Sequence, residues 1–198
     1  AQDALKSGCN VYTDVEMVRT GINKKKLASF GGKVECLIAD EAVAATAKAE
    51  GITRSMAAMR AFGKKLDGAI VAIGNAPTAL FEVMRLIEEE DIHPAAIIGV
   101  PVGFVGAAES KAVLAQKSPA PYITVEGTKG GSPIAVAALN AIMYLLDNRR
   151  YGRKKNSPHR NRRCAQWLRQ DDDCDGYPGR LEAAGLRSAI LQNRSGLY

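Results

Sequence analysis

The chain has 198 residues, 46% of them hydrophobic, and its 27 Lys and Arg against 21 Asp and Glu give a formal net charge of +6. That length suffices for one ordinary domain with a core that needs neither disulfides nor a metal. No apolar run approaches a membrane span, and the opening AQDALKSGCN lacks the basic-then-apolar order of a secretion signal, so a cytoplasmic location is the default expectation.

Cys9, Cys36, Cys164 and Cys174 form no CxxC pair and no metal-like spacing with the histidines, His93 and His159, so no zinc site is read from them. The charge is uneven. Residues 1–147 carry 15 Lys and Arg against 16 Asp and Glu, whereas 148–198 carry 12 against 5. A near-neutral body argues against nucleic acid as the partner of the folded domain.

In chain order, AQDALKSG reads as the last turns of a helix stopped at Gly8, with nothing before it, which points to a truncated amino end. NVYTD is a strand. VEMVRTGI and KKKLASF are helical, VECLI is a strand, and EAVAATAKAE and SMAAMRAF are helical again. GAIVAIG is a short apolar run of the kind that a strand buried on both faces shows. A helix follows from Thr78 to about Glu90, then the strand AAIIGV, the helix AAESKAVLAQ, the strand YITVEG and the helix SPIAVAALNAIMYLL. Five strands separated by helices predict a three-layer α/β/α domain over 1–147, with a flavodoxin-like, doubly wound parallel sheet in the order 2-1-3-4-5.

After Leu146 the apolar periodicity largely disappears. Residues 148–198 form a basic tail, with three readings open: a disordered charge run, a nucleic-acid-binding segment at RRYGRKKNSPHRNRR, or a mistranslated frame joined to a genuine domain.

Ligands of doubly wound sheets bind beyond the carboxyl ends of the strands, where the winding reverses. That places the loops at Thr13–Asp14 and Asn75–Thr78 face to face. Asn75-Ala-Pro-Thr78 sets Pro77 in the first turn of a helix whose free amides suit an anion; equally, Asn75 or Thr78 merely caps that helix. Thr53-Arg54-Ser55 puts a guanidinium beside a helix start, suited to a carboxylate, with a surface Arg and an ordinary cap as the alternative. Gly127-Thr-Lys-Gly-Gly-Ser132 precedes the last helix, with Ser132 expected as cap and Pro133 first in the helix, and Lys129 within reach of a ligand. Its spacing is not that of a phosphate loop. His93 precedes a strand and so belongs at the opposite end of the sheet. Neither a Ser-His-Asp nor a paired-carboxylate arrangement can be assembled.

TDVEMVRTGI, TRSMAAMR, GAIVAIGNAPTALFE, GVPVGFVGAAESK and YITVEGTKGGSPIAVAALNAI together closely resemble the precorrin-8X methylmutase family of cobalamin biosynthesis, including its cobalt-precorrin-8 branch. The resemblance spans nearly all of 1–147. It implies a homodimer with the site near the subunit interface, a polycarboxylate corrinoid as substrate, and migration of a methyl group from C11 to C12. It implies no cofactor and no metal site in the protein.

As substrate-binding residues the resemblance and the loops together suggest Arg54, Thr53, Ser55, Asn23, Thr13, Asp14, Asn75, Ala76, Pro77, Thr78, Gly103, Phe104, Ser110 and Lys111. Phe104 and Pro77 are expected to support the flat macrocycle by apolar contact. The family's proton-donating histidine belongs to an RVIH-like segment upstream of residue 1, so no catalytic residue is assigned. The alternative function is therefore a non-catalytic corrinoid-binding fragment.

Overall fold

The computed structural model describes residues 1–117 and 119–151, apart from the side chains of 147–151. The readings of the basic tail lie outside the described residues, except that the last helix runs past 147 to Tyr151. Among the described residues, no helix is long and apolar enough to cross a membrane.

The elements follow the expected alternation: α1 (Gln2–Lys6), β1 (Val11–Thr13), α2 (Glu16–Gly21), α3 (Lys24–Ser29), β2 (Val34–Cys36), α4 (Glu41–Glu50), α5 (Arg54–Phe62), β3 (Ile70–Ile73), α6 (Pro77–Glu90), β4 (Ala96–Gly99), α7 (Ala107–Lys117), β5 (Tyr122–Ile123) and α8 (Ser132–Tyr151). The five strands form one sheet in the order β2-β1-β3-β4-β5, and every pairing is parallel. β1 and β3 sit side by side at the winding reversal, with Val11 opposite Ile70 and Thr13 opposite Ala72.

Local chemistry explains where the helices begin and end. Asp40 caps α4 by accepting from the Ala42 and Val43 amides, and Gly51 ends it in the left-handed conformation (φ 66°) that a side chain with Cβ resists. Thr53 caps α5 by accepting from Met56 N–H. α1 ends before Gly8 (φ 80°), the stop expected there.

Side chains of successive strand residues point to opposite faces, and the cores divide accordingly. Tyr12, Val71, Ile73 and Ile97 pack with Met59, Phe62, Leu80, Val83 and Leu114 of α5, α6 and α7. Val11, Ile70, Ala72 and Ile98 pack with Leu5, Val18, Leu27, Leu139 and Met143 of α1, α2, α3 and α8. Each such fully buried aliphatic or aromatic side chain contributes about 1.5–3 kcal/mol relative to exposure. The two helical layers leave the carboxyl ends of β1, β3, β4 and β5 as one edge, from which the polar loops emerge.

Candidate functional site

The first of these loops closes on an internal anion. Asp14, directly after β1, is fully buried, and its carboxylate accepts from the amides of Gly74 (3.0 Å), Asn75 (2.8 Å) and Ala76 (2.8 Å). These are amides of the loop between β3 and α6, which the carboxylate holds against the end of β1. Burial pushes the Asp14 carboxyl above its ordinary range, with the three amides pulling the other way. Ala76 occupies the cap position of α6 with no side-chain cap, so neither Asn75 nor Thr78 caps the helix.

Thr78 has a different partner. Its hydroxyl lies 2.9 Å from that of Thr53, which joins the amino ends of α5 and α6. Arg54, the first residue of α5, is exposed beside this contact, and Ser55 is half-buried next to it. Asn75 is exposed, with Ala76, Pro77 and Thr78 half-buried. The third segment is Val102–Gly106, where Phe104 and Val105 are 93% and 89% exposed. Gly106 brings this loop against α6, since a Cβ added there would lie 3.5 Å from Pro77 Cβ and 4.0 Å from Phe81. An apolar shelf of Phe81, Val102, Phe104 and Val105, all exposed, therefore adjoins the polar helix ends.

The fourth segment, 127–131, is pinned from beneath. Gly103 N–H donates to the Thr128 carbonyl (3.3 Å) and Gly131 N–H to the Val100 carbonyl (2.8 Å). Lys111 on α7 is buried, and its ammonium donates to the Lys129 carbonyl. Loss of solvent pulls the Lys111 ammonium below its ordinary pKa. The Lys129 side chain itself is exposed. Ser132 is the first residue of α8 rather than its cap: the Gly131 carbonyl accepts from Ile134 and Ala135, so Gly131 takes the cap position.

The residues singled out in the sequence thus fall into three groups. Arg54, Thr53, Ser55, Asn75, Ala76, Pro77, Thr78, Gly103 and Phe104 lie on adjoining loops and helix starts at the carboxyl edge of the sheet, the candidate crevice. Thr13, Asp14, Ser110 and Lys111 are buried beneath it; the Thr13 hydroxyl donates to the Glu35 and Val15 carbonyls, and that of Ser110 to the Ala107 carbonyl. Asn23 stands apart on the α8 side of the sheet, capping α3 through Lys26 N–H, with its amide nitrogen donating to the Tyr144 hydroxyl and its backbone N–H to Asn140. His93 lies at the opposite end of the sheet, before β4, where its carbonyl accepts from Gly68 N–H and its own N–H donates to Asp67.

Sequence reading missed one cluster. Glu82, one turn into α6 and 1% exposed at its side chain, accepts from Arg60 of α5 and Arg85 of its own helix. Burial pushes the Glu82 carboxyl up, but the two guanidinium groups outweigh it and hold the group below the ordinary carboxylate range. A depressed folded pKa adds stability that is present above the unfolded value and is lost as pH falls through the folded one. Glu82→Gln should therefore destabilise the protein more at pH 7 than at pH 3. Urea midpoints at the two values check this, and an equal loss at both would contradict it.

Helix amino ends, an exposed guanidinium and an apolar shelf thus adjoin at the carboxyl edge of a doubly wound parallel sheet, and the chain is an α/β domain of that class. The comparisons with known proteins narrow that class. A family profile described as CbiC, precorrin-8X methylmutase, matches residues 1–145. The cobalt-precorrin-8 methylmutase of Priestia megaterium is 50% identical over 145 residues, which are 73% of this chain and 64% of that protein. The enzyme of the same name from Salmonella typhimurium is 46% identical over 145 residues, covering 73% and 67%. A solved structure titled precorrin-8X methylmutase related protein superposes with a TM-score of 0.68 at 40% identity, covering 73% of this chain and 75% of that one.

The chain belongs to the precorrin-8X methylmutase family. It spans about two thirds of the length of these curated relatives.

Proposed function

We propose that this chain serves corrin ring biosynthesis as an isomerase, moving a methyl group from C11 to C12 of precorrin-8X or its cobalt form. The observation that carries this reading is the 50% identity to a cobalt-precorrin-8 methylmutase over 145 residues, together with a family match over residues 1–145, which include every loop at the carboxyl edge of the sheet. The crevice chemistry agrees with it. A substrate with many carboxylates and a flat, largely apolar ring asks for cations and amide or hydroxyl donors around a hydrophobic shelf, and Arg54, Thr53, Ser55, Asn75, Thr78 and Phe104 offer these side by side.

In this reading Arg54 takes a substrate carboxylate, with the helix start beneath it adding positive potential. Pro77 and Phe104 bear on the ring face, while Gly103 lets the backbone come close. Thr13, Asp14, Ser110 and Lys111 hold these loops in place from below. Moving a methyl group within one molecule adds and removes no electrons, so the step itself calls for no redox cofactor. A protein of this kind works in the cytoplasm, where its substrate is made.

Homodimerisation is part of the proposal. Asn23 stands on the far side of the sheet from Arg54, beside α8, which exposes Ile134, Tyr144 and Leu145. A second copy of the chain packed on that face would cover these exposed side chains together with Asn23.

Spectral titration with a corrinoid polycarboxylate such as hydrogenobyrinic acid tests the reading. Saturable binding is expected, and Arg54→Ala should weaken it about 10-fold or more, the usual worth of a charge-assisted hydrogen bond. A folded protein that leaves the corrinoid spectrum unchanged at tens of micromolar would end the proposal.

A further inference from the structure

Glu82 and its arginines lie behind the crevice, and their geometry couples three helices. Arg60 forks onto Glu82 through Nε (2.6 Å) and Nη2 (3.4 Å), while its Nη1 reaches Glu50, the last residue of α4, at 2.5 Å. Arg85 approaches the same carboxylate through Nε (3.0 Å) and Nη2 (2.6 Å), and it also pairs with Glu89. A planar guanidinium with donors on both edges engaged tolerates neither rotation nor sliding of α5 against α6.

Stability alone is a weak reason for such a cluster. Replacing buried ion pairs by apolar residues of similar volume is often neutral or stabilising, and α5 and α6 already share the apolar contacts of Met59, Phe62, Leu80 and Val83. The charged rung supplies register, which an apolar contact does not. Above it, Glu82 stands one helical turn from Thr78, whose hydroxyl meets Thr53 at 2.9 Å. That neutral contact is exposed and too weak to align two helices unaided.

We propose that Glu82 is a positioning residue for the crevice: by clamping Arg60, in the last turn of α5, it fixes the register of α5 against α6, and so sets where Arg54 and the Thr53–Thr78 pair at the other end of α5 meet a polyanionic ligand. The ligand part of this rests on the function proposed above. The alignment part does not.

Two measurements on the full chain test it, using Glu82→Gln, which keeps the side-chain volume and leaves Arg60 with Glu50 and Arg85 with Glu89. Hydrogen exchange needs no ligand. The hydrogen-bonded amides of Met56, Ala57, Ala76 and Ala79 should exchange about 10-fold faster or more, as expected for local opening of helix ends, while those of α3 and α8 hold their rates.

Titration with hydrogenobyrinic acid then forms a double-mutant cycle. Glu82→Gln should weaken binding about 5- to 10-fold in the parent, yet less than about 2-fold in an Arg54→Ala background, because residues acting as one unit are not additive. Unchanged exchange at both helix starts overturns the proposal even if the melting temperature falls. A loss of the same size in both backgrounds overturns the link to Arg54. Should the folded parent bind no corrinoid, the proposed function fails by itself, and exchange still decides the role of Glu82.

Discussion

Asp14→Ala should cost about 3 kcal/mol of unfolding free energy, because the buried Gly74 amide and the partly buried amides of Asn75 and Ala76 lose their acceptor at once, and such a loss costs roughly 1–3 kcal/mol where water is excluded. The expectation follows from the 2.8–3.0 Å contacts to Gly74, Asn75 and Ala76. Water cannot easily replace the carboxylate, since the position is buried beneath the start of α6. Urea unfolding at pH 7 measures the loss, and a value below about 1 kcal/mol would show that the loop finds other acceptors.

The Asp14→Asn variant separates charge from geometry. An amide offers one acceptor oxygen and sets its NH2 group against a peptide N–H. It relieves the buried charge yet breaks at least one contact, so its cost should fall between zero and that of Asp14→Ala. Both variants should also weaken corrinoid binding, through displacement of Asn75 and Thr78 at the crevice.

Asp14 also shows where sequence reading stops. The five apolar runs and their intervening helices carried the strand order 2-1-3-4-5, because parallel right-handed crossovers leave few alternatives. The Thr53 cap was legible because its acceptor and the Met56 donor lie close in sequence, whereas the same rule named Ser132 where Gly131 takes the position. The Asp14 carboxylate, in contrast, meets amides about sixty residues away in the chain. Thr-Asp after a strand looks the same whether the carboxylate faces a ligand or its own backbone, and only the β1–β3 pairing decides.

Glu82 was hidden for a related reason. Its partner Arg60 lies on the preceding helix, so no periodicity within α6 announces the pair, and Glu82 among Phe81, Val83 and Met84 reads as an ordinary amphipathic position. Asn23 shows the reverse. The family resemblance brought it near the ligand, but its side chain and backbone are engaged by Lys26, Tyr144 and Asn140 on the α8 face, a placement set by tertiary packing. What was legible of the crevice came from loops directly following strands; what supports those loops came from contacts remote in sequence.

Gly130→Ala is expected to have the second large effect, and its argument is steric. A Cβ at this position would lie 2.4 Å from the Val100 carbonyl oxygen and 2.5 Å from that of Pro101. Both are backbone atoms, so no rotamer change relieves the clash, and the 127–131 loop has to lift from the end of β4. That would break the Gly131 donation to Val100 and loosen the Lys111 grip on Lys129. Overpacking of this kind costs about 1–3 kcal/mol, and a lost buried hydrogen bond adds about 1 kcal/mol more.

Gly127 in the same loop is the control. It has a positive φ of 70° but nothing within 4 Å of an added Cβ, so Gly127→Ala should cost only the left-handed strain of about 1–2 kcal/mol. If loop conformation alone mattered, the two alanines would be equally harmful. If close approach to β4 matters, Gly130→Ala will lower the urea midpoint further and weaken corrinoid binding as well, because Gly103 and Phe104 are tied to the same loop through Thr128.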